Sequence, residues 1–282
     1  MAANILVSAA ELDGLLSDGR GVAVDCRFEF SDTNKGRADW LAGHVPGAAY
    51  AHLDDDLSSP ITEDSGRHPL PDPARFATYL AAIGWSPGKL LVAYDEGSNA
   101  VASRLWWLMR YFGQPAALLD GGLATWVASG RPLEAGEPAR VSASVVDLVP
   151  NEAMDIGTPA ILSRLGKDAL LVLDARAGQR FRGEVEPLDT RAGHIPGSLN
   201  RPFGANLKLG GQFKSPAELR EEYLSLLDGR DPATVVHSCG SGVTACHNLF
   251  AMELAGLSGT RLYPGSWSEW IRDPDRPIET GA

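Results

Sequence analysis

Cys239 opens a short run, Cys239-Gly-Ser-Gly-Val-Thr244, between a strand-like segment at 234–238 and a helical pattern at 245–255. A thiol leaving a strand just before a helix feels the positive end of the helix dipole, which favours the nucleophilic thiolate. Gly240 and Gly242 let the backbone curl. The N–H groups around Gly240, Gly242, Val243 and Thr244 can then form a nest for an anion, such as a thiolate, a persulfide or the charge developing on a substrate. An isolated cysteine would read as a small buried hydrophobe. Strand, Cys-Gly-Xaa-Gly and helix together favour chemistry instead. Cys26 has no glycine cradle and Cys246 lies two turns into the helix, so both read as structural.

Two other uses of such a loop are disfavoured. A cysteine phosphatase needs an arginine six positions on to clamp phosphate, and that position is Ala245. His237, Cys239, Cys246 and His247 lack the spacing of a structural zinc site. No metal or organic cofactor is expected.

The elements that must carry this loop occur twice. Val22-Ala-Val-Asp-Cys-Arg27 followed by Gly43-His-Val-Pro-Gly-Ala48 returns as Leu171-Val-Leu-Asp-Ala-Arg176 followed by Gly193-His-Ile-Pro-Gly-Ser198. Gly121 and Trp126 return 144 residues later as Gly265 and Trp270. A repeat held over most of each half predicts two domains of one fold: 1–136, a linker at 137–154 rich in Pro, Ala, Ser and Glu, and 155–282. Apolar runs at 22–25, 90–94, 116–119, 170–174 and 234–238 read as buried strands. Asp72-Pro73 and Ser215-Pro-Ala-Glu218 read as helix starts. Alternation of the two predicts an α/β fold, each domain a mostly parallel sheet flanked by helices. Sites in such sheets form at the carboxyl ends of strands. His44 and His194 occur in both halves, so they read as structural.

The totals narrow the partners. The chain has 282 residues, 44% hydrophobic and 22% charged, with a formal net charge of -11. Nucleic acid and anionic membranes require a basic footprint that this composition lacks. Three cysteines are no disulfide framework and suit a reducing compartment. Without a basic n-region and apolar h-region at the start, or an apolar run of spanning length, a cytoplasmic location is expected.

The tandem repeat, the two Gly-His-(Val/Ile)-Pro-Gly segments, the Cys239 loop and Gly265-Ser-Trp-Ser-Glu-Trp270 together resemble the rhodanese superfamily, and within it the two-domain 3-mercaptopyruvate sulfurtransferases. The resemblance implies two tandem rhodanese-like domains with helices on both faces of each sheet, the second catalytic and the first degenerate. Asp95 stands opposite Cys239 in the repeat and cannot carry sulfur. It also implies a Cys239 persulfide loaded from 3-mercaptopyruvate, release of pyruvate, and discharge to thioredoxin, a small thiol or cyanide, by a monomer. Thiosulfate-specific relatives have basic residues in the loop, where this chain has Gly240 and Ser241. A thiosulfate:cyanide sulfurtransferase and a non-catalytic sulfur-relay module are the alternatives. By the same resemblance Arg180 holds the donor's anionic group. The family's second donor-binding arginine is replaced by Asp189, with Arg191 the candidate substitute and Arg182 a weaker one. A serine–histidine–aspartate relay would comprise Ser241, His68 and Asp54.

Overall fold

The computed structural model describes residues 5–139, 142–167 and 170–281, so Arg140 and Val141 of the expected linker lie outside the described residues. Two compact units share the chain. The first comprises Met1–Ser59, Leu70–Asn151 and Lys208–Phe213; the second comprises Pro60–Pro69, Glu152–Leu207 and Lys214–Ala282.

The first unit is built on strands β1 (Leu6–Val7), β2 (Gly21–Asp25), β3 (Ala49–Tyr50), β4 (Leu90–Tyr94) and β5 (Ala116–Leu119). They form one parallel sheet in the order β1-β5-β4-β2-β3. Its helices are α1 (Ala9–Ser17), α2 (Lys35–Ala42), α3 (Pro73–Ala82), α4 (Ala102–Tyr111) and α5 (Gly122–Ala128). Val7, Ala23, Val92, Tyr94, Ala117 and Leu119 pack with Leu12 of α1 and with Leu123 and Trp126 of α5. The alternate residues Val24, Leu91, Ala93 and Leu118 are also fully buried. A strand buried on both faces belongs to a parallel sheet covered on both sides, and this explains the unbroken apolar runs.

The second unit repeats the plan with α6 (Thr158–Leu162), β6 (Leu171–Asp174), α7 (Gly178–Phe181), β7 (Leu199–Asn200), α8 (Pro216–Leu227), β8 (Val235–Ser238), α9 (Ala245–Leu254), β9 (Arg261–Leu262) and α10 (Ser266–Trp270). Its parallel sheet runs β7-β6-β8-β9. The predicted helix starts are present. The Asp72 carboxylate accepts from Ala74 and Arg75 N–H, both at 3.0 Å. Ser215 and Glu218 form a reciprocal capping box at the head of α8. Strands β1 and β9 have two residues each, too few for a periodic signal, and the sequence reading did not find them.

Matching residues of the repeat do matching structural work. Asp25 grips Arg27, whose guanidinium donates to Gly43 O at 2.7 Å; Asp174 grips Arg176, which donates to Gly193 O at 2.8 Å. The indole of Trp126 donates to Pro132 O at 2.8 Å and that of Trp270 to Pro277 O at 2.9 Å. His44 pairs through its backbone with Glu134, and His194 with Glu279. Each Gly-His-Xaa-Pro-Gly segment therefore fastens the closing tail of its own half.

The arm Pro60–Pro69 belongs to the second unit because it lies against 265–272. Arg67 N–H donates to Ser268 Oγ at 3.0 Å, and Arg272 Nε donates to Ser65 O at 3.1 Å. A side chain on Gly66 would put its Cβ 2.5 Å from Gly265 O, so only glycine permits this approach. No helix among the described residues is long and apolar enough to cross a membrane.

Candidate active site

The register of the second sheet places Asp174, the last residue of β6, beside Ser238, the last of β8. Cys239 follows at the carboxyl edge, where such sheets form their sites. Its residue is only 2% exposed. Its N–H donates to Ser266 Oγ at 3.0 Å, and its C=O accepts from Trp267 N–H at 3.0 Å. Ser266 in turn donates to Tyr263 O at 2.9 Å and holds a left-handed φ of 51°. Such a conformation is costly for serine and is kept only where the surroundings enforce it. Gly242 also has a left-handed φ, 76°, and a Cβ there would lie 2.4 Å from Pro264 O. The segment after β9 thus moulds the loop.

Four N–H groups of the loop, those of Gly240, Ser241, Val243 and Thr244, find no acceptor among the described residues. The first turn of α9 follows directly, with Thr244 at its N-cap position making no side-chain cap. The matching loop of the first unit is closed. There the Asp95 carboxylate accepts from Gly97 N–H at 3.1 Å, Asn99 N–H at 2.7 Å and Val101 N–H at 3.1 Å. Burial pushes the Asp95 carboxyl above its ordinary range, and the N–H bonds pull against that. A fixed carboxylate therefore occupies the nest that in the second unit adjoins a thiol. Beside Asp95 opens a cavity of about 840 Å3, with Arg27, Phe28, Phe30, Lys35 and Glu96 on its walls. It offers room, but no cysteine lines it.

Charge near Cys239 is arranged as an alternating chain. Asp174 binds Arg176; Arg176 reaches Glu186 at 3.4 Å; Glu186 takes Arg180 at 2.7 Å; Arg180 reaches Asp189 at 3.2 Å; and Asp189 also binds Arg67. Arg176 stacks over the Trp267 ring at 4.9 Å. The far end of the chain lies over the loop. A Cβ on Gly240 would sit 3.0 Å from an Arg67 nitrogen and 3.6 Å from one of Arg180. Burial pushes the Asp189 carboxyl up, against the pull of Arg67.

The expected site residues divide as follows. Gly240, Ser241, Gly242, Val243 and Thr244 share the Cys239 loop, and Arg180 comes to Gly240. His68 reaches the loop as well, with its Nδ1 2.7 Å from Ser241 Oγ, both side chains buried. Asp54 is partly buried in the turn at 53–56 of the first unit, and its neighbours Asp55 and Asp56 both engage His52. Arg191 is not at the loop's arginine pair; its guanidinium donates to Pro274 O at 3.2 Å. Arg182 pairs with Glu184 in solvent. The sequence reading missed Arg67, Glu186 and Ser266. Ser266 lay within a recognised repeat motif, but only its backbone angle reveals its task.

Comparison with known proteins agrees with this geometry. A family model described as a rhodanese-like domain matches residues 8–129 and 158–273. The chain is 46% identical over 279 residues to a probable 3-mercaptopyruvate sulfurtransferase of Pseudomonas aeruginosa, covering 98% of each chain. It is 32% identical to the thiosulfate sulfurtransferase of Gallus gallus, over 94% of this chain and 93% of that one. The crystal structure of the 3-mercaptopyruvate sulfurtransferase SseA from Escherichia coli superposes with a TM-score of 0.81 at 31% identity, over 94% of this chain and 100% of that one. With two matched domains in tandem, similarity spanning almost its whole length and a cysteine loop at the end of β8, this chain belongs to the rhodanese family.

Proposed function

We propose that this rhodanese-family sulfurtransferase takes sulfur from 3-mercaptopyruvate onto Cys239 and passes it to a thiol acceptor. The observation that carries the reading is the open nest: four N–H groups without an acceptor among the described residues, next to the thiol, where the first unit closes the same nest on Asp95. An anionic persulfide sulfur suits that nest as the Asp95 carboxylate suits its own.

In the first half-reaction the Cys239 thiolate attacks the donor sulfur. The S–S bond forms, the C–S bond breaks, and its electron pair leaves as the enolate of pyruvate. The proton lost from the donor thiol ends on that carbon, relayed by Ser241 and His68, whose 2.7 Å contact permits it. Arg180 holds the donor carboxylate, and the N–H groups of Gly240, Ser241, Val243 and Thr244, with Gly242 shaping the turn, hold the charged sulfur. In the second half-reaction a thiolate such as that of thioredoxin, a small thiol or cyanide attacks the outer sulfur, and the Cys239 thiolate leaves. Ping-pong kinetics are the consequence of the covalent intermediate.

A monoanionic donor is favoured over thiosulfate because the loop has no charged side chain, and three carboxylates balance the three guanidiniums of the nearby chain. We further infer that residues 1–136 act as the degenerate domain, joined through 137–154 to the catalytic domain 155–282, and that the protein works as a cytoplasmic monomer. The test is intact mass after incubation with 3-mercaptopyruvate. Wild type should gain one sulfur atom and Cys239→Ser none. A wild type that gains none, or a variant that still gains one, overturns the reading.

A further inference from the structure

We propose that Asp189 sets the charge class of the sulfur donor: its carboxylate, lodged between the two guanidiniums over Gly240, admits a monoanion and turns away a dianion. The inference rests on the sulfur-transfer reading above and names the residue that selects the donor. The charges near the loop can be sorted by what each one holds. Asp174 and Arg176 repeat the Asp25–Arg27 pair of the first unit, down to the guanidinium bond to a glycine carbonyl, so they belong to the fold. Glu186 holds its own segment as well. Both of its oxygens accept from Arg180 Nε at 3.1 Å, and Oε1 also accepts from the N–H groups of Leu188 at 3.1 Å and Asp189 at 3.2 Å.

The Asp189 carboxylate caps no backbone N–H among the described residues. Its side chain is only 4% exposed, and its oxygens face guanidiniums alone: Oδ1 takes Arg67 and Oδ2 takes Arg180 at 3.2 Å. Those guanidiniums in turn border the loop, within 3.0 Å and 3.6 Å of where a Cβ on Gly240 would stand. With Glu186 and Asp189 the set is two cations and two anions, neutral in sum. A donor that comes to Arg180 therefore meets the Asp189 carboxylate one guanidinium away. The first negative charge of the donor is answered by Arg180 and by the N–H groups of the loop. A second is repelled by Asp189, in a partly buried place where charges interact more strongly than in water. 3-Mercaptopyruvate with its thiol protonated carries one charge and thiosulfate two. Thiosulfate would load Cys239 by the same kind of attack, its S–S bond breaking and the electron pair leaving with sulfite. Asp189 acts before that step, on binding.

The readout is a ratio: kcat/KM for thiosulfate over kcat/KM for 3-mercaptopyruvate, both measured on one sample with cyanide as acceptor. The fraction of folded protein cancels in it, so a poorly folding variant still reports. Asp189→Asn should raise the ratio roughly tenfold to a hundredfold, the worth of one unit charge at short range in a partly buried site. Asp189→Glu keeps the charge and should hold the ratio within threefold of wild type, even if both rates fall. A rise of less than threefold in Asp189→Asn overturns the assignment, as does a rise in Asp189→Glu equal to that in Asp189→Asn. A calorimetric titration with two unreactive anions stands apart from the sulfur-transfer reading. Sulfate and methanesulfonate share a tetrahedral head and differ by one charge. Asp189→Asn should tighten sulfate at least tenfold more than methanesulfonate. Wild type that loads no sulfur would sink the transfer reading and leave this comparison intact, whereas equal changes for the two anions refute the selector.

Discussion

Cys26 and Cys239 are both buried thiols that follow the end of a central strand, yet their surroundings set them apart. Burial and the carboxylates of Asp25, Asp95 and Asp56 push the Cys26 thiol well above its ordinary range, so it stays protonated and inert. Cys246 is occupied as a donor to Gly242 O at 3.3 Å. Cys239 instead adjoins open N–H groups and a chain of arginines. What makes the difference is backbone shape, and Gly242 controls it. Alanine at 242 would combine a left-handed φ, costing about 1–2 kcal/mol, with a Cβ 2.4 Å from Pro264 O. Gly242→Ala should slow sulfur loading at least tenfold and lower the melting temperature. Loading at the wild-type rate would show that the loop does not need this curl. Gly240→Ala should be milder in fold, since its Cβ meets the side-chain ends of Arg67 and Arg180 rather than backbone.

At the scale of elements, the two cradles are one design used in two ways. In the first unit a side chain of the loop itself fills the nest and makes it a structural turn between β4 and α4. Asp95→Ala would leave the N–H groups of Gly97, Asn99 and Val101 without their acceptor, at a cost of about 3 kcal/mol. Denaturant midpoints should record that loss, while Cys239 of the surviving folded protein should load sulfur as in wild type. An unchanged midpoint would mean that the carboxylate contributes nothing to the turn. The Cys239 loop, the caps at Asp72 and Ser215 and the duplicated Asp-Xaa-Arg segments were legible in the sequence because each is a local pattern. Arg67 was not: its meaning depends on the arm at 60–69 packing against 265–272, about two hundred residues away. The absence of charged side chains in the loop was legible too, but the two guanidiniums over Gly240 and the carboxylates that balance them were not.

At the scale of the whole molecule, an acidic protein with buried titratable groups should have a stability that depends on pH, and His237 gives that dependence a sign. It lies within β8, in register with Leu173 of β6 and Leu262 of β9, fully buried. Neither ring nitrogen has a hydrogen-bond partner among the described residues. Burial lowers its pKa from 6.5 to about 3. The folded chain therefore leaves this ring neutral where the unfolded chain protonates it, so stability is full above pH 6.5 and falls as pH drops toward 3. The loss approaches 1.4 kcal/mol for each pH unit below 6.5, about 2 kcal/mol by pH 5. The carboxyls of buried Asp25 and Asp95 and of half-buried Asp120 are shifted up, so they act in the opposite sense, each adding stability as pH falls. Their effect falls between the ordinary carboxylate range and the raised folded-state pKa, so a variant that lacks only the histidine isolates its share. His237→Leu keeps the volume and removes two unpaired nitrogens. It should match or exceed wild-type stability at pH 7.5 and lose less of it at pH 5.5. Denaturant midpoints of both proteins at the two pH values decide the matter, and equal acid sensitivity would assign the pH dependence to other groups.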